Sequence, residues 1–310
     1  YLLLDAIGCS PLFHSPPDLS RFKDSGGRVA FFMPMMRMPF RGRANLRNHR
    51  KIVLVDQRIA MMGGMNIADE YMGPMKDLSR WRDLSVTVHG GAVADLYRVF
   101  RSDWEFASKS KLNFDVQLDQ TPRLTMKNTC DANACLQLVP SGPDVEGDPL
   151  HESIISMFFK AEDSITIVTP YFVPDEFLMK ALCIVLRKGV QVKLLIPDIS
   201  NHRFADLARG YFVRELEKNG AMIHRYKSGM IHAKLILIDD AVSIVGSANM
   251  DLRSLFLNYE IALFIHSAER TGEFEEWTRR MIEDSEIGSG KISPVKEFVE
   301  GAARLFSPLL

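Results

Sequence analysis

Two histidine–lysine pairs are the residues of this sequence whose types and spacing predict chemistry. His49 precedes Lys51 by two positions. His232 precedes Lys234 in the same way, 183 residues further along the chain. Side chains two positions apart on a β-strand point to the same face, so each imidazole would lie beside an ammonium group. One neutral histidine can attack phosphorus, while the other, protonated, donates to the leaving oxygen. Because the lysines supply fixed positive charge for the phosphoryl oxygens, the pairs favour cleavage of a phosphodiester with no metal ion or other cofactor.

Each pair begins a longer repeated segment. Four apolar residues follow each lysine and end at an aspartate, Asp56 in the first copy and Asp239 in the second. Each aspartate lies an odd number of positions after its lysine, so the two side chains point to opposite faces of the strand. The spacing therefore favours a structural role for the aspartates at the end of the strand. A turn of small residues comes next, and its polar side chains could donate hydrogen bonds to phosphoryl oxygens. The predicted phosphate-binding residues in these turns are Asn66, Ser247 and Asn249.

An acidic residue precedes a further alternating strand in each copy, Asp83 in the first and Glu260 in the second. We expect these strands to run beside the motif strands. A carboxylate there could bind the second nitrogen of an imidazole and set its tautomer and orientation. One histidine–lysine pair on a strand is commonly a coincidence, but two copies with matching turns and acids in the same order indicate a tandem duplication.

The elements that must position these residues alternate between strands and helices. In the second copy the sequence predicts strands at 164–168, 190–197, 234–238 and 242–245, and helices at 174–188 and 201–219. Apolar residues at helical spacing predict further helices at 92–108, 270–285 and 295–305. The pattern predicts the α/β class, with mixed sheets flanked by helices.

The two copies are unequal in length. The opening strand and helix of the second copy, roughly residues 151–189, have no counterpart in the first. We therefore expect the first half to lack its N-terminal strand and helix, and the chain to begin in the middle of a longer protein. The halves are assigned to residues 1–125 and 126–310, with a polar linker within 108–135, and are predicted to share one active site.

Composition and net charge argue against several classes of protein. Hydrophobic residues make up 46% of the chain and charged residues 25%, which argues against disorder. The net charge of −1 gives no overall field for nucleic acid, although residues 21–58 hold ten Lys/Arg and only two acids, a local excess that suits an anionic ligand or surface. No apolar run reaches the roughly 18 residues of a membrane-spanning helix. The four cysteines predict reduced thiols on the cytoplasmic side.

A methionine-rich insertion at 33–43 precedes the first motif. It holds four methionines, one phenylalanine and three arginines. Methionine forms an adaptable apolar surface, and arginine suits phosphate groups. The hypothesis is a lipid-facing lip beside the site, and the alternative is an ordinary loop packed on the core.

The complete motif set resembles the phospholipase D superfamily and, within it, the bacterial cardiolipin synthases. The resemblance extends over almost the whole chain, in the segments 48–51, 63–71, 81–83, 140–144, 169–172, 200–203, 246–254 and 258–260. It implies two α-β-α sandwich halves in tandem, with Asp56 and Asp239 as members of the catalytic motif. It also implies that such synthases carry two membrane-spanning helices before the first catalytic half, which this chain does not contain.

The resemblance also implies a reaction. One phosphatidylglycerol is cleaved through a phosphatidyl-histidine intermediate, glycerol leaves, and a second phosphatidylglycerol attacks to give cardiolipin. It assigns His49 as the nucleophile and His232 as the acid/base, an order that the residues themselves leave open. The implied partners are phosphatidylglycerol and a membrane surface, and the implied location is the bacterial inner membrane, with the site on its cytoplasmic face.

Three other functions share some of these features. A hydrolytic phospholipase D would use water in place of the second lipid, and the motifs separate it poorly from a transferase. A phosphodiesterase acting on nucleic acid is disfavoured by the net charge and by the methionine-rich insertion. A non-enzymatic membrane scaffold is disfavoured because both motifs are complete.

Overall fold

The computed structural model describes residues 1–9, 19–33, 46–74, 77, 79–112, 134–290 and 292–305. The elements of the first half are β1 (Leu2–Asp5), α1 (Ser20–Asp24), β2 (Val29–Phe32), β3 (Ile52–Val55), β4 (Ile59–Gly63), β5 (Ser85–His89) and α2 (Gly91–Ser108). Those of the second half are β6 (Cys135–Ser141), α3 (Pro149–Lys160), β7 (Ser164–Val168), β8 (Phe172–Val173), α4 (Glu176–Lys188), β9 (Gln191–Pro197), α5 (Arg203–Lys218), β10 (Met222–Tyr226), β11 (Leu235–Ile238), β12 (Val242–Gly246), β13 (Met250–Asp251), α6 (Leu252–Phe256), β14 (Glu260–His266), α7 (Ala268–Glu283), β15 (Ser285–Ile287) and α8 (Pro294–Leu305). The predicted mixed α/β class is confirmed.

The second half is built around an eight-stranded mixed sheet in the order β15-β10-β9-β7-β11-β12-β14-β6. β7, β9 and β10 run parallel to one another, whereas β11, β12, β14 and β6 pair in antiparallel fashion. Consequently, the carboxyl ends of β7, β9, β12 and β6 and the amino ends of β11 and β14 meet at one edge. This edge, called the cleft edge below, carries Lys234 ahead of β11 and Glu260 at the start of β14.

Both faces of the large sheet are covered. On one face α3, α4 and α5 pack through buried residues that include Phe158 and Leu182. The other face packs against the antiparallel sheet β3-β4-β5 of the first half and against α2 and α7, with Met62, Leu96 and Val245 in the shared core. The first-half sheet is therefore one layer of the same sandwich, which holds both motif strands in fixed relation.

Strand pairing follows the same order in the two halves. β1 pairs with β2 in parallel, as β9 pairs with β10. The sheet β3-β4-β5 corresponds to β11-β12-β14. In the second half β7 lies between β9 and β11, whereas no described strand joins β1 to β3. This difference falls on the segment for which the sequence shows no first-copy counterpart.

Two helices begin two residues later than the sequence predicts, because a polar side chain caps each of them. α4 begins after Asp175, whose carboxylate accepts hydrogen bonds from two backbone N–H groups of the first turn. α5 begins after His202, whose Nδ1 accepts a hydrogen bond from the backbone N–H of Ala205 at 3.2 Å. The capping places His202 at the cleft edge, immediately after β9.

Three predicted features lie wholly or mainly outside the described residues. They are the boundary between residues 125 and 126, most of the linker at 108–135, and residues 34–43 of the methionine-rich insertion. Among the helices that the structure does describe, none combines the length and the apolar character needed to cross a bilayer.

Candidate active site

Each motif histidine is bound by the carboxylate of the other half. His49 Nδ1 lies 3.0 Å from Glu260 Oε1, and His232 Nδ1 lies 2.7 Å from Asp83 Oδ2. An ionised carboxylate can only accept, so in the neutral ring of His49 Nδ1 carries the proton and Nε2 is left as the basic nitrogen. The two acids thus contact the imidazoles as predicted, but crosswise between the halves. Neither motif histidine has its carboxylate partner within its own half.

Backbone pairing between the halves produces this exchange. Asn48 forms a parallel bridge with Tyr259, in which the N–H of His49 donates to Tyr259 O at 2.9 Å. The bridge between Arg82 and Ile231 is equivalent, and in it the N–H of His232 donates to Arg82 O at 2.7 Å. The expectation that the acidic strands run beside their own motif strands was wrong. β4 separates β5 from β3, and β12 separates β14 from β11, because each motif strand folds back as a hairpin first.

The two histidines differ in access. The side chain of His49 is 29% exposed and contributes to a cavity of about 480 Å³, whose lining also includes Asn48, Tyr171, His202, Asn249 and Arg253. The side chain of His232 is 7% exposed, because the rings of Tyr71 and Trp81 pack against it at 5.2 and 5.6 Å. A ligand in the cavity therefore meets His49 first.

Burial controls the charge of the bases. It lowers the pKa of His49 although Glu260 opposes the change, and it lowers the pKa of His232, with help from the charge of Lys234. Burial also lowers the pKa of Lys51 to about 7 and that of Lys234 to about 8. Both histidines are therefore neutral near pH 7, while the lysines are close to titration.

Each lysine lies against its own histidine. Lys51 Nζ donates to the carbonyl oxygen of His49 at 2.8 Å. Lys234 Nζ lies 2.7 Å from Nδ1 and 3.1 Å from Nε2 of His232 and also donates to that residue's carbonyl oxygen. The ammonium of Lys234 thus lies beside its imidazole, whereas that of Lys51 contacts the backbone of its histidine.

The two carboxylates differ in charge state. Burial would raise the pKa of Glu260, but the His49 contact, the charge of Lys51 and a hydrogen bond from Ser247 outweigh it and hold this pKa below its usual value. Burial raises the pKa of Asp83 to about 6, although the charge of Lys234 opposes the shift. Glu260 is therefore the firmly ionised partner, whereas Asp83 titrates just below neutrality.

The three predicted phosphate-binding residues lie in different surroundings. Asn249 is buried and lines the cavity. Asn66 donates from Nδ2 to Tyr71 OH at 3.3 Å, which ties it to the ring beside the second histidine. Ser247 is fully buried; its hydroxyl donates to Glu260 and accepts from the backbone N–H of residue 261. The phosphate-binding role predicted for Ser247 does not fit these bonds, because its hydroxyl is already committed to the carboxylate.

The motif aspartates lie at the far ends of their strands. Asp239 accepts hydrogen bonds from the backbone N–H groups of three consecutive residues, 162–164, and has a φ of +47°. Asp56 is exposed in the matching turn, with a φ of +50°. Each aspartate follows its lysine by five positions, or about 17 Å of strand. These positions correct the catalytic assignment of both aspartates. They fit the structural role that is predicted from the odd spacing between each aspartate and its lysine.

Two further features of the site, one polar and one aromatic, involve residues of the sequence motifs. Asn258 Nδ2 donates to Glu260 Oε1 at 3.3 Å, and its two-residue offset from that glutamate predicts a shared face. Tyr71 and Trp81 lie within the repeated motifs, but only the fold brings them onto His232. In the part of the chain that the structure describes, no group of three or more His, Cys, Asp or Glu side chains is placed to hold a metal ion.

Comparison with known proteins agrees with this site. The family described as "Cardiolipin synthase, PLD-like domain" matches residues 154–282. A cardiolipin synthase of Clostridium perfringens (strain SM101 / Type A) is 35% identical over the whole of this chain. The chain is therefore similar over its whole length to a cardiolipin synthase, and its residues 154–282 match a PLD-like domain.

A second relative and a solved structure show further similarity. A cardiolipin synthase of Oceanobacillus iheyensis is also 35% identical over the whole chain. The chain spans 65% of the length of the Clostridium perfringens protein and 63% of the Oceanobacillus iheyensis protein. The crystal structure of phosphatidylserine synthase from Haemophilus influenzae Rd KW20 has the same fold, with a TM-score of 0.64 and 16% identity over 85% of this chain and 71% of that chain.

Proposed function

We propose that this chain carries the active site of a phosphatidyltransferase that makes cardiolipin and glycerol from two phosphatidylglycerol molecules. The observation that supports it is the crossed pair of contacts, His49–Glu260 and Asp83–His232, with both motif lysines beside them. This arrangement provides a nucleophile, an acid/base and two cations at one site. Similarity to cardiolipin synthases supplies the class of reaction.

In the first step, Nε2 of His49 attacks the phosphorus of one phosphatidylglycerol. A P–N bond forms, the bond from phosphorus to the glycerol oxygen breaks, and glycerol leaves with a proton from His232. Glu260 stabilises the positive charge that develops on the attacking ring. Burial lowers the pKa of His232 in the empty site, and a bound phosphodiester anion raises it again, so that this ring can carry the proton.

In the second step, the hydroxyl of another phosphatidylglycerol gives its proton to His232 and attacks the phosphorus of the intermediate. The P–N bond breaks, cardiolipin forms, and His49 returns to its neutral state. Two phosphatidylglycerol molecules thus give one cardiolipin and one glycerol. Water in place of the second lipid would give phosphatidic acid, which is the product of the hydrolytic alternative.

His49 is proposed as the nucleophile because of its access to a ligand. Its side chain is 29% exposed at the cavity, whereas His232 is 7% exposed beneath Tyr71 and Trp81. An acid/base needs only to reach one departing or entering oxygen, whereas a nucleophile must reach phosphorus in line. The asymmetry therefore favours this order of roles.

We also propose that the cleft edge faces a lipid surface, at the cytoplasmic side of the bacterial inner membrane. Ile67 and Ile199 are 82% and 75% exposed on loops that leave this edge, and exposed apolar groups around a cleft are typical of interaction surfaces. Residues 34–43 of the methionine-rich insertion remain part of this proposal. Serine at both isoleucines should weaken sedimentation with phosphatidylglycerol vesicles, whereas serine at Val55 and Ile59, exposed at the opposite end of β3 and β4, should not. Equal losses in the two variants would contradict the orientation.

The reaction is tested by incubating the protein with phosphatidylglycerol vesicles and measuring the products. We expect cardiolipin and glycerol in equal amounts; phosphatidic acid alone would favour the hydrolytic alternative. His49→Ala and His232→Ala should each abolish turnover, while His266→Ala, an exposed histidine at the end of β14, should not. Near wild-type activity in either motif variant would contradict the two-histidine mechanism. Because no metal ion takes part in the proposed steps, EDTA should leave the rate unchanged.

A further inference from the structure

Arg50 lies between His49 and Lys51 and has a side chain that is only 2% exposed. A guanidinium carries five N–H groups, and each of them has an acceptor here. Nε donates to Glu260 O at 3.0 Å, and the two terminal nitrogens donate to Asp103 Oδ1 (2.7 Å), Ser141 O (3.0 Å) and both oxygens of Asp144 (3.1 and 3.2 Å). The group is therefore fully used within the protein, and its contribution to the site is structural support and not substrate binding.

The acceptors of Arg50 belong to both halves. Glu260 and Ser141 are opposite residues of the β14–β6 pair at the cleft edge, so one guanidinium holds both strands where the carboxylate begins. Asp103 belongs to α2 of the first half and also accepts from Asn48 Nδ2 at 2.9 Å. The network therefore joins the segment that carries the first histidine to the strand that carries its carboxylate.

The second motif has no equivalent of this network. Ala233, fully buried, stands at the position that corresponds to Arg50. Glu260 further receives hydrogen bonds from Ser247 and Asn258. The positions around Asp83 that correspond to these two residues are Gly64 and Trp81. Besides its contact with His232, Asp83 accepts a hydrogen bond from the backbone N–H of Leu84 at 2.7 Å, whereas Glu260 is held by Arg50, Ser247 and Asn258.

We propose that Arg50 is a positioning residue that fixes the backbone of Glu260 and, through its carboxylate, the tautomer and orientation of His49. Because Ala233 stands at the corresponding position of the second motif, this arginine distinguishes the histidine that is assigned to in-line attack. The kinetic part of this inference rests on the proposed function, whereas its spectroscopic part needs no substrate.

The test compares Arg50→Lys with Arg225→Lys. Arg225 is the matched control, because it too bridges a backbone carbonyl (Gly288 O) and two carboxylates, but on β10 and away from the motif residues. Lysine has three N–H groups in place of five and cannot span both strands. We expect R50K to lower kcat about 100-fold, the cost of a shift of roughly 1 Å at a reacting group, with little change in KM. R225K should retain kcat.

Proton–nitrogen correlation spectra of histidine-labelled protein provide the readout that is independent of substrate. In the wild type and in R225K, His49 should show the Nδ1–H tautomer, and in R50K this signal should give way to a mixture of tautomers. Ethylguanidinium added to Arg50→Ala should restore both the signal and part of kcat. A fall in kcat that only follows the loss of folded protein, with the tautomer retained, would overturn the positioning role. If the tautomer changes as expected but no variant makes cardiolipin, the positioning role stands and the proposed function is wrong.

Discussion

Gly64 is a position at which the site leaves little room beside Asp83, and alanine there should separate Asp83 from His232. A Cβ at residue 64 would lie 2.6 Å from Asp83 Oδ1 and 2.9 Å from Lys234 Cδ. The backbone cannot easily retreat, because its N–H donates to Leu84 O at 3.1 Å. The Asp83 side chain is 1% exposed and has no free space to move into without cost. Gly64→Ala should therefore displace the carboxylate from the ring.

The size of the effect follows from these distances. An ordinary contact to a Cβ begins at 3.4 Å, so the carboxylate must retreat by about 0.8 Å. Directed away from the ring, a retreat of this size would lengthen the contact between Asp83 Oδ2 and His232 Nδ1 from 2.7 Å to about 3.5 Å, beyond the usual range of a hydrogen bond. A hydrogen bond to a charged group contributes about 1.5–3 kcal/mol. If that contribution is needed in the transition state, kcat should fall roughly 10- to 150-fold.

The assay is cardiolipin formation from phosphatidylglycerol, measured with the melting temperature of each variant. Gly272→Ala is the control, because the corresponding Cβ meets nothing within 4 Å on α7. We expect this control to keep kcat and to gain up to about 1 kcal/mol of stability, since alanine reduces the entropy of the unfolded chain. An unchanged kcat in Gly64→Ala would refute the reasoning, whatever its melting temperature.

Three further predictions concern charge and stability. The rate should fall as the pH rises from 7 to 9, because Lys51 and then Lys234, with pKa values of about 7 and 8, lose their positive charge; a rate that rises over this interval in a kcat/KM profile would contradict the role of the cations. Asp239→Ala should lower the free energy of unfolding by about 1–3 kcal/mol, since three backbone N–H groups lose their acceptor, and a lower kcat in fully folded protein would argue against a purely structural role. Trp81→Ala should raise the pKa of His232, because burial depresses it, and a histidine titration by NMR that shows no rise would show that the ring is not the cause.

The crossed contacts make the two halves depend on each other chemically. Glu260 supplies the carboxylate for the first histidine, and Asp83 supplies it for the second. Removing either half would leave a buried imidazole without its acceptor and a buried carboxylate without its donor, and unpaired buried charge is strongly unfavourable. The face of the large sheet that packs against β3-β4-β5 joins the two halves in the same way, through a shared apolar core.

Local sequence patterns predicted where strands occur, but they did not predict which strands pair with each other. The strands predicted at 164–168 and 234–238 correspond to β7 at Ser164–Val168 and β11 at Leu235–Ile238. The prediction that the acidic strands adjoin the motif strands failed, because periodicity says which face a strand buries and not which strand pairs with it. Ser247 shows the same limit. Its place in the turn of small residues after β12 suggested phosphate binding, but in the fold its hydroxyl donates to Glu260.

The sequence by itself determined that two histidine–lysine pairs occur in a duplicated α/β frame, because spacing along a strand and apolar periodicity are local properties of the backbone. Only the tertiary structure decided which carboxylate binds which histidine, since the partners are 211 and 149 residues apart. It also decided the charge states, because burial of His49 and His232, and of both lysines, depends on what the two halves place around them. The asymmetry created by Arg50 is visible in the sequence as a single difference from Ala233, and its meaning comes only from the five acceptors that the fold gathers around it.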